Sequence, residues 1–356
     1  MEQPQEQGRT ALPFEFTGNG FEYFKIWIVN VCLSIVTLGI YSAWAKVRNH
    51  QYFYGNTILS GSSFAYLANP IAILKGRLIA FFVFIIYLLI SRYYPVESII
   101  FSLLFAILLP WVIVRALTFR ARYTSYRNIR FNFKGSYGGA LMNFILLPFA
   151  TLFTLGLLYP YVIQQQTLYI LGNHSYGASQ FSFSAGAGPF YKVFLMIILI
   201  GIGLAIFMGI LSAIFIPLAG GGSDLKTAIE NEDYSVLTII GAIYLFTLVF
   251  YLYIGAYYIA SVTNIIFNNA GIEEHGFTSN LATNDMFMLY LTNTLAILAT
   301  VGLFIPWAKV RMARYRAGRL KFLAAESLDK FIADESGKVS AMGEEIGEVF
   351  DIDIGL

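Results

Sequence analysis

Two short clusters of aromatic and basic side chains are the first candidates for a binding site, because the same residue types recur at the same spacing. The chain reads Trp44-Ala-Lys46-Val-Arg48 and, far downstream, Trp307-Ala-Lys309-Val-Arg311. At a membrane border, an indole anchors the chain and nearby cations meet lipid phosphates. The clusters therefore favour contact with anionic lipid headgroups. They fit equally well a role in setting membrane topology alone.

Polar and small residues that precede these clusters form a second set of candidates. Threonine and glycine, spaced two residues apart, end three apolar runs, and two of these runs also carry an asparagine. The set comprises Asn30, Thr37, Gly39, Thr154, Gly156, Asn293, Thr300 and Gly302. A glycine followed by proline or another break kinks or ends a helix, so we predict a hinge or polar cavity here. Hydrogen bonding between helices is the alternative role of both asparagines.

Catalytic and metal-binding patterns are missing from the sequence. The histidines His50, His174 and His275 are scattered, and the single cysteine, Cys32, lies in an apolar run. No phosphate-binding glycine loop or nucleophile elbow occurs. We therefore expect no enzymatic activity, cofactor or metal ion. The basic tracts adjoin apolar runs, which favours membrane lipids over nucleic acid as partners and leaves any protein partner unknown.

Apolar stretches dominate the elements that must position these residues. The chain is 57% hydrophobic and 12% charged, whereas soluble domains carry about 25% charged residues. A membrane helix needs about 20 mainly apolar residues. Seven stretches qualify, near 22–44, 76–94, 97–117, 139–161, 190–217, 235–262 and 285–307.

The three threonine–glycine runs belong to longer segments that resemble one another. Phe14-x-Phe16 resembles Phe131-x-Phe133, and Gly55-Asn56 resembles Gly172-Asn173. These repeat signatures cover 14–66, 131–183 and 277–322. Three crossings in each unit would invert successive units. That would explain why the middle copy lacks the basic pair, since basic residues are disfavoured outside.

The sequence thus predicts an all-α polytopic membrane protein with about seven transmembrane helices in three internal repeats of alternating orientation. Short extended or hairpin segments would lie in the loops. A polar segment, 1–20, precedes a membrane domain, 21–322, and a charged tail, 323–356, follows. The distribution of basic residues places the N-terminus outside and the C-terminus in the cytoplasm.

Several motifs make the chain resemble the YjgN family of bacterial inner-membrane proteins, a domain of unknown function. They are Phe-x-Phe-x-Gly-x-Gly at 14–20, Thr-Leu-Gly-Ile-Tyr-Ser-Ala-Trp-Ala-Lys-Val-Arg at 37–48, Gly-Asn-Thr at 55–57 and Phe-Asp-Ile-Asp-Ile-Gly-Leu at 350–356. The resemblance implies a multi-pass protein of the inner membrane in a Gram-negative bacterium and supplies no activity or catalytic residue.

Two functions are consistent with these features. A transporter or channel-like protein built on inverted repeats would have a polar cavity between its broken helices. A non-enzymatic membrane scaffold, or a lipid-interacting accessory protein, would instead be tightly packed, with a basic aromatic surface at the cytoplasmic interface.

Overall fold

A closed antiparallel β-barrel organises the chain, and helices extend from one of its ends. The computed structural model describes residues 9–218 and 234–346. Within these residues the strands are β1 (Thr10–Phe16), β2 (Thr57–Leu59), β3 (Ser62–Tyr66), β4 (Thr124–Tyr126), β5 (Ile129–Phe133), β6 (His174–Tyr176), β7 (Ser179–Phe183), β8 (Ala270–Ile272), β9 (His275–Ser279) and β10 (Leu320–Ala324). Each strand pairs with two neighbours, so the sheet has no free edge.

The helices lie between the strands in a regular order. They are α1 (Gly20–Val36), α2 (Ser42–Gly55), α3 (Pro70–Tyr93), α4 (Pro95–Arg122), α5 (Tyr137–Leu141), α6 (Leu147–Phe153), α7 (Tyr159–Gly172), α8 (Gly188–Leu218), α9 (Tyr234–Asn268), α10 (Thr283–Ala299), α11 (Ile305–Gly318) and α12 (Leu328–Ile346). A π-helical segment, Met142–Leu146, joins α5 to α6. Neighbouring helices pack in the same order as the strands, so α1–α11 surround the barrel axis.

Barrel closure brings the first and last strands of the described chain together. Strand β1 pairs with β2 on one side and with β10 on the other, and Thr10 lies opposite Ala324. These two residues therefore lie on the same side of any membrane. The predicted separation of an outside N-terminus from an inside C-terminus is wrong, because the sheet holds both segments in one register.

Tight turns join the strands within each hairpin, and all of them lie at the end of the barrel opposite helices α1–α11. Two of these turns place both central residues in the left-handed region, with φ of 47° and 75° at Ser60-Gly61 and 45° and 64° at Arg127-Asn128. Such turns match the twist of paired strands. Because each hairpin returns to the end where it started, the helices that precede and follow it share one end of the barrel.

The predicted all-α class with seven transmembrane helices is therefore wrong. The segments assigned to loop hairpins are barrel strands, which are too short to stand out beside long apolar helices. Within the described residues, four helical stretches are long and apolar enough to cross a membrane: Pro70–Tyr93, Pro95–Arg122, Gly188–Phe215 and Gly241–Asn268.

The other three predicted spans are short helical hairpins. Each contains a break at a threonine–glycine pair, where the chain reverses and returns to the barrel. The residue before the glycine and the glycine itself are both left-handed, with φ of 50° and 91° at Leu38 and Gly39. The same geometry recurs at Leu155-Gly156 and Val301-Gly302. The predicted spans at 22–44, 139–161 and 285–307 each run through this reversal, so the expected break in each helix turns the chain back.

The threonine hydroxyl links the two helices of each short hairpin. Thr37 Oγ1 donates to the carbonyl of Leu33 at 2.7 Å and accepts from the amide of Tyr41 at 2.9 Å. It thus gives the Leu33 carbonyl, which already accepts from the Thr37 amide, a second hydrogen bond, and it satisfies the Tyr41 amide at the start of α2. Thr154 and Thr300 also accept from the amide four residues ahead. The motif is a helical reversal, and its predicted role as a hinge stays a prediction.

Alternating orientation of the three units is also wrong. All three short hairpins start and finish at the same end of the barrel, because adjacent antiparallel strands carry them. Packing accounts for the missing basic pair of the middle copy: Ile163, at the position of Lys46, contacts the apolar cluster around Phe183 and Phe190.

Aromatic side chains fill the barrel. The Phe-x-Phe pattern of β1, β5 and β7 points two side chains inward and the residue between them outward. Ring centroids of Phe131 and Phe181, and of Phe181 and Phe277, lie 6.3 Å apart, and those of Phe14 and Phe64 lie 6.2 Å apart. The barrel interior is a packed core.

Gly39→Ala should destabilise the protein by about 1–2 kcal/mol, because φ near 91° is costly for a residue with a Cβ. Gly55→Ala is the matched control, since nothing lies within 4 Å of a Cβ added there. Its effect should stay within about 0.5 kcal/mol. Denaturant unfolding in detergent measures both. Equal losses would contradict the role of the left-handed turn.

Candidate functional site

A groove along α1 collects several predicted candidates into one site. It has a volume of about 470 Å³ and lies between α1 and α2, with Lys309 of α11 at its edge. Its lining residues are Tyr23, Trp27, Asn30, Val31, Ser34, Ile35, Ser42, Ala45, Lys46, Asn49 and Lys309. We call this surface the α1 groove.

The α1 groove faces the barrel axis. Its lining positions on α1 recur every three or four residues, which places them on one helix face. At the barrel end of that face, Tyr23 belongs to the aromatic core of the barrel, and Trp27 packs against the same core. The groove therefore continues upward from the packed barrel interior, on the inner side of the helices.

Positive charge dominates the groove. Lys46 and Lys309 line it, and Lys309 Nζ lies 6.0 Å from the ring centroid of Tyr23. Arg77 of α3 donates a hydrogen bond to the hydroxyl of Ser42 at the rim. The described lining residues include no aspartate or glutamate. A site with fixed cations and polar hydroxyl and amide groups can bind an anion.

One lining residue has an unmet hydrogen-bonding requirement. Asn30 is 7% exposed, and its Oδ1 lacks a hydrogen-bond partner in the part of the chain that the structure describes. At the equivalent position of the third short hairpin, Asn293 Oδ1 accepts from Arg311 Nη1 at 2.8 Å. Arg48, the counterpart of Arg311, instead donates to the hydroxyl of Tyr41 at 3.0 Å. The two asparagines thus face different environments.

The remaining candidates do not meet in one cavity. Thr37, Thr154 and Thr300 lie with their glycines at the tips of three separate hairpins, outside the α1 groove. Within the described residues, the threonines therefore lie apart from Asn30 and the α1 groove, because the barrel distributes the hairpins around its axis.

The two tryptophans of the basic clusters pack against aromatic neighbours. Trp44 stacks on Tyr41, with ring centroids 6.1 Å apart, and Trp307 lies 5.0 Å from Phe24. Lys46, Arg48, Lys309 and Arg311 are all exposed. Contact of these side chains with anionic lipid stays a prediction.

A sequence profile of bacterial proteins of unknown function, the family designated DUF898, matches residues 11–349. The chain belongs to this family. Curated relatives of this DUF898 member are named inner membrane protein YjgN, so the predicted resemblance is confirmed. Because these relatives are inner membrane proteins and the chain has helices long and apolar enough to cross a membrane, this DUF898 member is a protein of the bacterial inner membrane.

The similarity to YjgN proteins is partial in extent. The Salmonella typhimurium protein is 32% identical over 237 residues, which cover 63% of this chain and 55% of the relative. An Escherichia coli protein is 34% identical over 136 residues, which cover 38% of this chain and 34% of the relative. The DUF898 chain therefore spans about half or less of the curated relatives it matches. No solved structure matches it.

A second polar cluster holds α12 across the turn end of the DUF898 barrel. Glu335 is fully buried, and its Oε2 accepts from the amides of Ala178 and Ser179 at 2.8 and 3.1 Å. Its Oε1 accepts from Ser179 Oγ at 2.7 Å and from Lys338 Nζ at 2.8 Å. Lys338 also pairs with Glu273 at 3.0 Å.

Apolar contacts complete the α12 interface. Leu328 and Phe331 join the barrel core, and the ring of Phe331 lies 4.6 Å from that of His275. His275 Nδ1 accepts from the amide of Ala325 at 3.0 Å, and burial lowers the pKa of this imidazole. The α12 helix therefore plugs the mouth of the barrel.

Sequence reasoning missed several of these residues. Ser34 and Tyr23 gave no signal as single polar residues of the apolar helix α1. Asn49 did not stand out beside Arg48 and His50, and Glu335 looked like one acid of an acidic tail. A stripe test on α1 could have linked Tyr23, Trp27 and Asn30, because they recur on one helix face. Proximity to Lys309 follows only from barrel closure.

Glu335→Gln should weaken docking of α12 in a pH-dependent way. Burial raises the pKa of Glu335, but hydrogen bonds from Lys338, Ser179 and the two amides outweigh it and hold the pKa below 4.5. The carboxylate therefore stabilises the docked helix above pH 4.5, and this contribution is lost as pH falls through the lowered pKa.

Hydrogen exchange of the Ala178 and Ser179 amides measures this contribution. At pH 7 the variant should lose about 2 kcal/mol of protection, and the difference from wild type should shrink below pH 4.5. Asp334→Asn removes the same charge from an exposed neighbour and should have little effect. A constant difference across this range would contradict the carboxylate's role.

Proposed function

We propose that this DUF898 protein is a non-enzymatic, lipid-interacting membrane protein that binds the phosphate of an anionic phospholipid in the α1 groove. One observation carries the proposal: Lys46 and Lys309, on different helical hairpins, line the same acid-free groove. Lys46 is repelled by the cations of Arg77 and Arg120, and an anion bound in the groove relieves that repulsion.

The depth of the groove favours a lipid over a soluble anion. Lys46 lies nine residues before the end of α2 at Gly55, about 14 Å along the helix from the barrel. Farther from the barrel, the hairpin tips are apolar and open, with Leu38 and Val301 95% and 94% exposed. Such tips are stable in hydrocarbon and costly in water. A phospholipid can place its phosphate at the lysines and its acyl chains beside the tips.

A multi-pass arrangement with the barrel in the cytoplasm fits this site. The four long helices form two hairpins that reach beyond the short ones. Basic residues concentrate at helix ends next to the barrel, as at Arg120 and Arg122 of α4. Since such residues stay on the cytoplasmic side, the barrel, α12 and the C-terminal segment would be cytoplasmic.

Internal repetition is part of the same proposal. Thr37, Thr154 and Thr300 occupy equivalent places in hairpins that share one orientation. Duplication of a unit made of a helix pair and a strand pair would produce this arrangement by rotation about the barrel axis.

Movement of an anion or lipid along the inner side of the helices, above the packed barrel core, is the second candidate function. The position of the α1 groove favours it, since the groove lies on the inner side of the helices above the barrel core. The transporter hypothesis loses its original support, because the repeats are not inverted. It now depends on the polar groove alone.

Topology can be tested by cysteine labelling after Cys32→Ala removes the single cysteine. Glu274→Cys and Lys321→Cys, both exposed at the barrel, should react with an impermeant maleimide in inside-out vesicles only. Tyr94→Cys, at the turn between α3 and α4, should react in intact spheroplasts. Labelling of Glu274→Cys and Lys321→Cys from opposite sides would contradict the barrel arrangement.

Lipid binding can be tested by replacing both groove lysines. Lys46→Gln with Lys309→Gln should weaken binding of phosphatidylglycerol about tenfold or more, because each cation contributes about 1 kcal/mol near lipid phosphate. Fluorescent phosphatidylglycerol titrated against the detergent-solubilised protein measures this. Binding of phosphatidylcholine should be weak in both proteins.

Lys134→Gln with Lys321→Gln is the matched control, since it removes the same charge from exposed positions at the barrel. An equal loss of phosphatidylglycerol binding in the control would show that binding depends on the protein's net charge and not on the groove. Lysine-dependent transfer of labelled lipid between the leaflets of proteoliposomes would favour the second candidate.

A further inference from the structure

The α1 groove offers more than positive charge, because Asn30 adds a hydrogen-bonding group beside the lysines. Its Oδ1 has no donor within the described residues, and only 7% of the residue's surface is exposed. A buried acceptor without a donor costs about 1–3 kcal/mol. A ligand that supplies a donor here would recover part of that cost.

Two other buried side-chain oxygens also lack partners in the described chain, those of Asn143 and Gln164. Neither residue lines the α1 groove, whereas Asn30 does. Asn30 is thus the unpartnered group placed beside two lysines.

Comparison of two hairpins within the chain explains why Asn30 lacks a partner. In the third short hairpin, Arg311 bridges Asn293 and Thr292, with bonds of 2.8 and 3.2 Å. In the first, Val29 replaces the threonine, and the guanidinium of Arg48 bonds to Tyr41 instead. Phe304, which has no hydroxyl, stands where Tyr41 does. The tyrosine hydroxyl therefore retains the arginine that would otherwise satisfy Asn30.

We propose that the α1 groove selects anionic headgroups that carry a hydroxyl donor next to the phosphate, as a phosphoglycerol headgroup does, with Asn30 as the acceptor. Lys46 and Lys309 pair with the phosphate, and Tyr41 keeps the acceptor available by binding Arg48. The inference rests on the proposed function and adds headgroup selectivity to it.

A pair of lipids that differ only in the donor tests this selectivity. Phosphatidylglycerol and phosphatidylmethanol carry the same phosphodiester charge, but the methyl headgroup has no hydroxyl. The wild-type protein should bind phosphatidylglycerol about fivefold more tightly, as expected for one hydrogen bond. Soluble glycerophosphoglycerol, used as a competitor, distinguishes a lipid ligand from a free headgroup ligand. If it displaces phosphatidylglycerol completely at equal concentration, the groove binds the free headgroup and a lipid ligand is contradicted.

Three substitutions separate the headgroup contact from general lipid binding. Asn30→Leu and Tyr41→Phe should both reduce the fivefold preference to about one, the first by removing the acceptor and the second by releasing Arg48 onto it. Phe304→Tyr is the matched control, because it exchanges the same atom in the equivalent hairpin away from the groove. It should leave the preference unchanged.

The outcomes distinguish this inference from the function on which it rests. If wild-type protein binds neither lipid, or loses neither on replacement of both lysines, the proposed function fails. If it binds both lipids equally through the lysines, lipid binding stands and headgroup selection is overturned. A preference that survives both Asn30→Leu and Tyr41→Phe would also overturn the inference.

Discussion

Strand β1 forms hydrogen bonds with β2 on one side and β10 on the other, and this closure determines where every helix stands. Because adjacent strands run antiparallel and the turns within hairpins lie at one end, α1–α11 must leave from the other end. The first and third short hairpins then become neighbours, although they lie at opposite ends of the sequence. Their contact brings Lys309 beside α1 and creates the α1 groove.

Differences among the short hairpins show how one backbone design serves several environments. The threonine hydroxyl and left-handed glycine are common to all three, since the reversal needs them. The positions that follow vary with their surroundings: Lys46 lines a polar groove, whereas Ile163 packs into an apolar cluster. The backbone reversal thus determines the threonine and the glycine, whereas local contacts determine the residues that follow them.

Local patterns in the sequence predicted individual helices and breaks better than they predicted how these elements pack together. Apolar length identified the four long helices, and Thr37-x-Gly39 marked a break, but a break can end a span or reverse it. Three-residue strands such as Thr124–Tyr126 carry too little periodicity to be recognised. Their pairing depends on contacts between distant segments. Asn30 and Lys46 were therefore recognisable as candidates, while their convergence with Lys309 was not.

The pairing of β1 with β10 also constrains how the protein acquires its structure. During synthesis, β1 emerges early, but one of its two partners, Leu320–Ala324, is made about 300 residues later. Until then, the growing sheet has two unpaired edges, which are prone to wrong pairing. Assembly must therefore be slow and dependent on distant contacts. Helices already inserted in the bilayer would hold the open sheet until its last strand arrives.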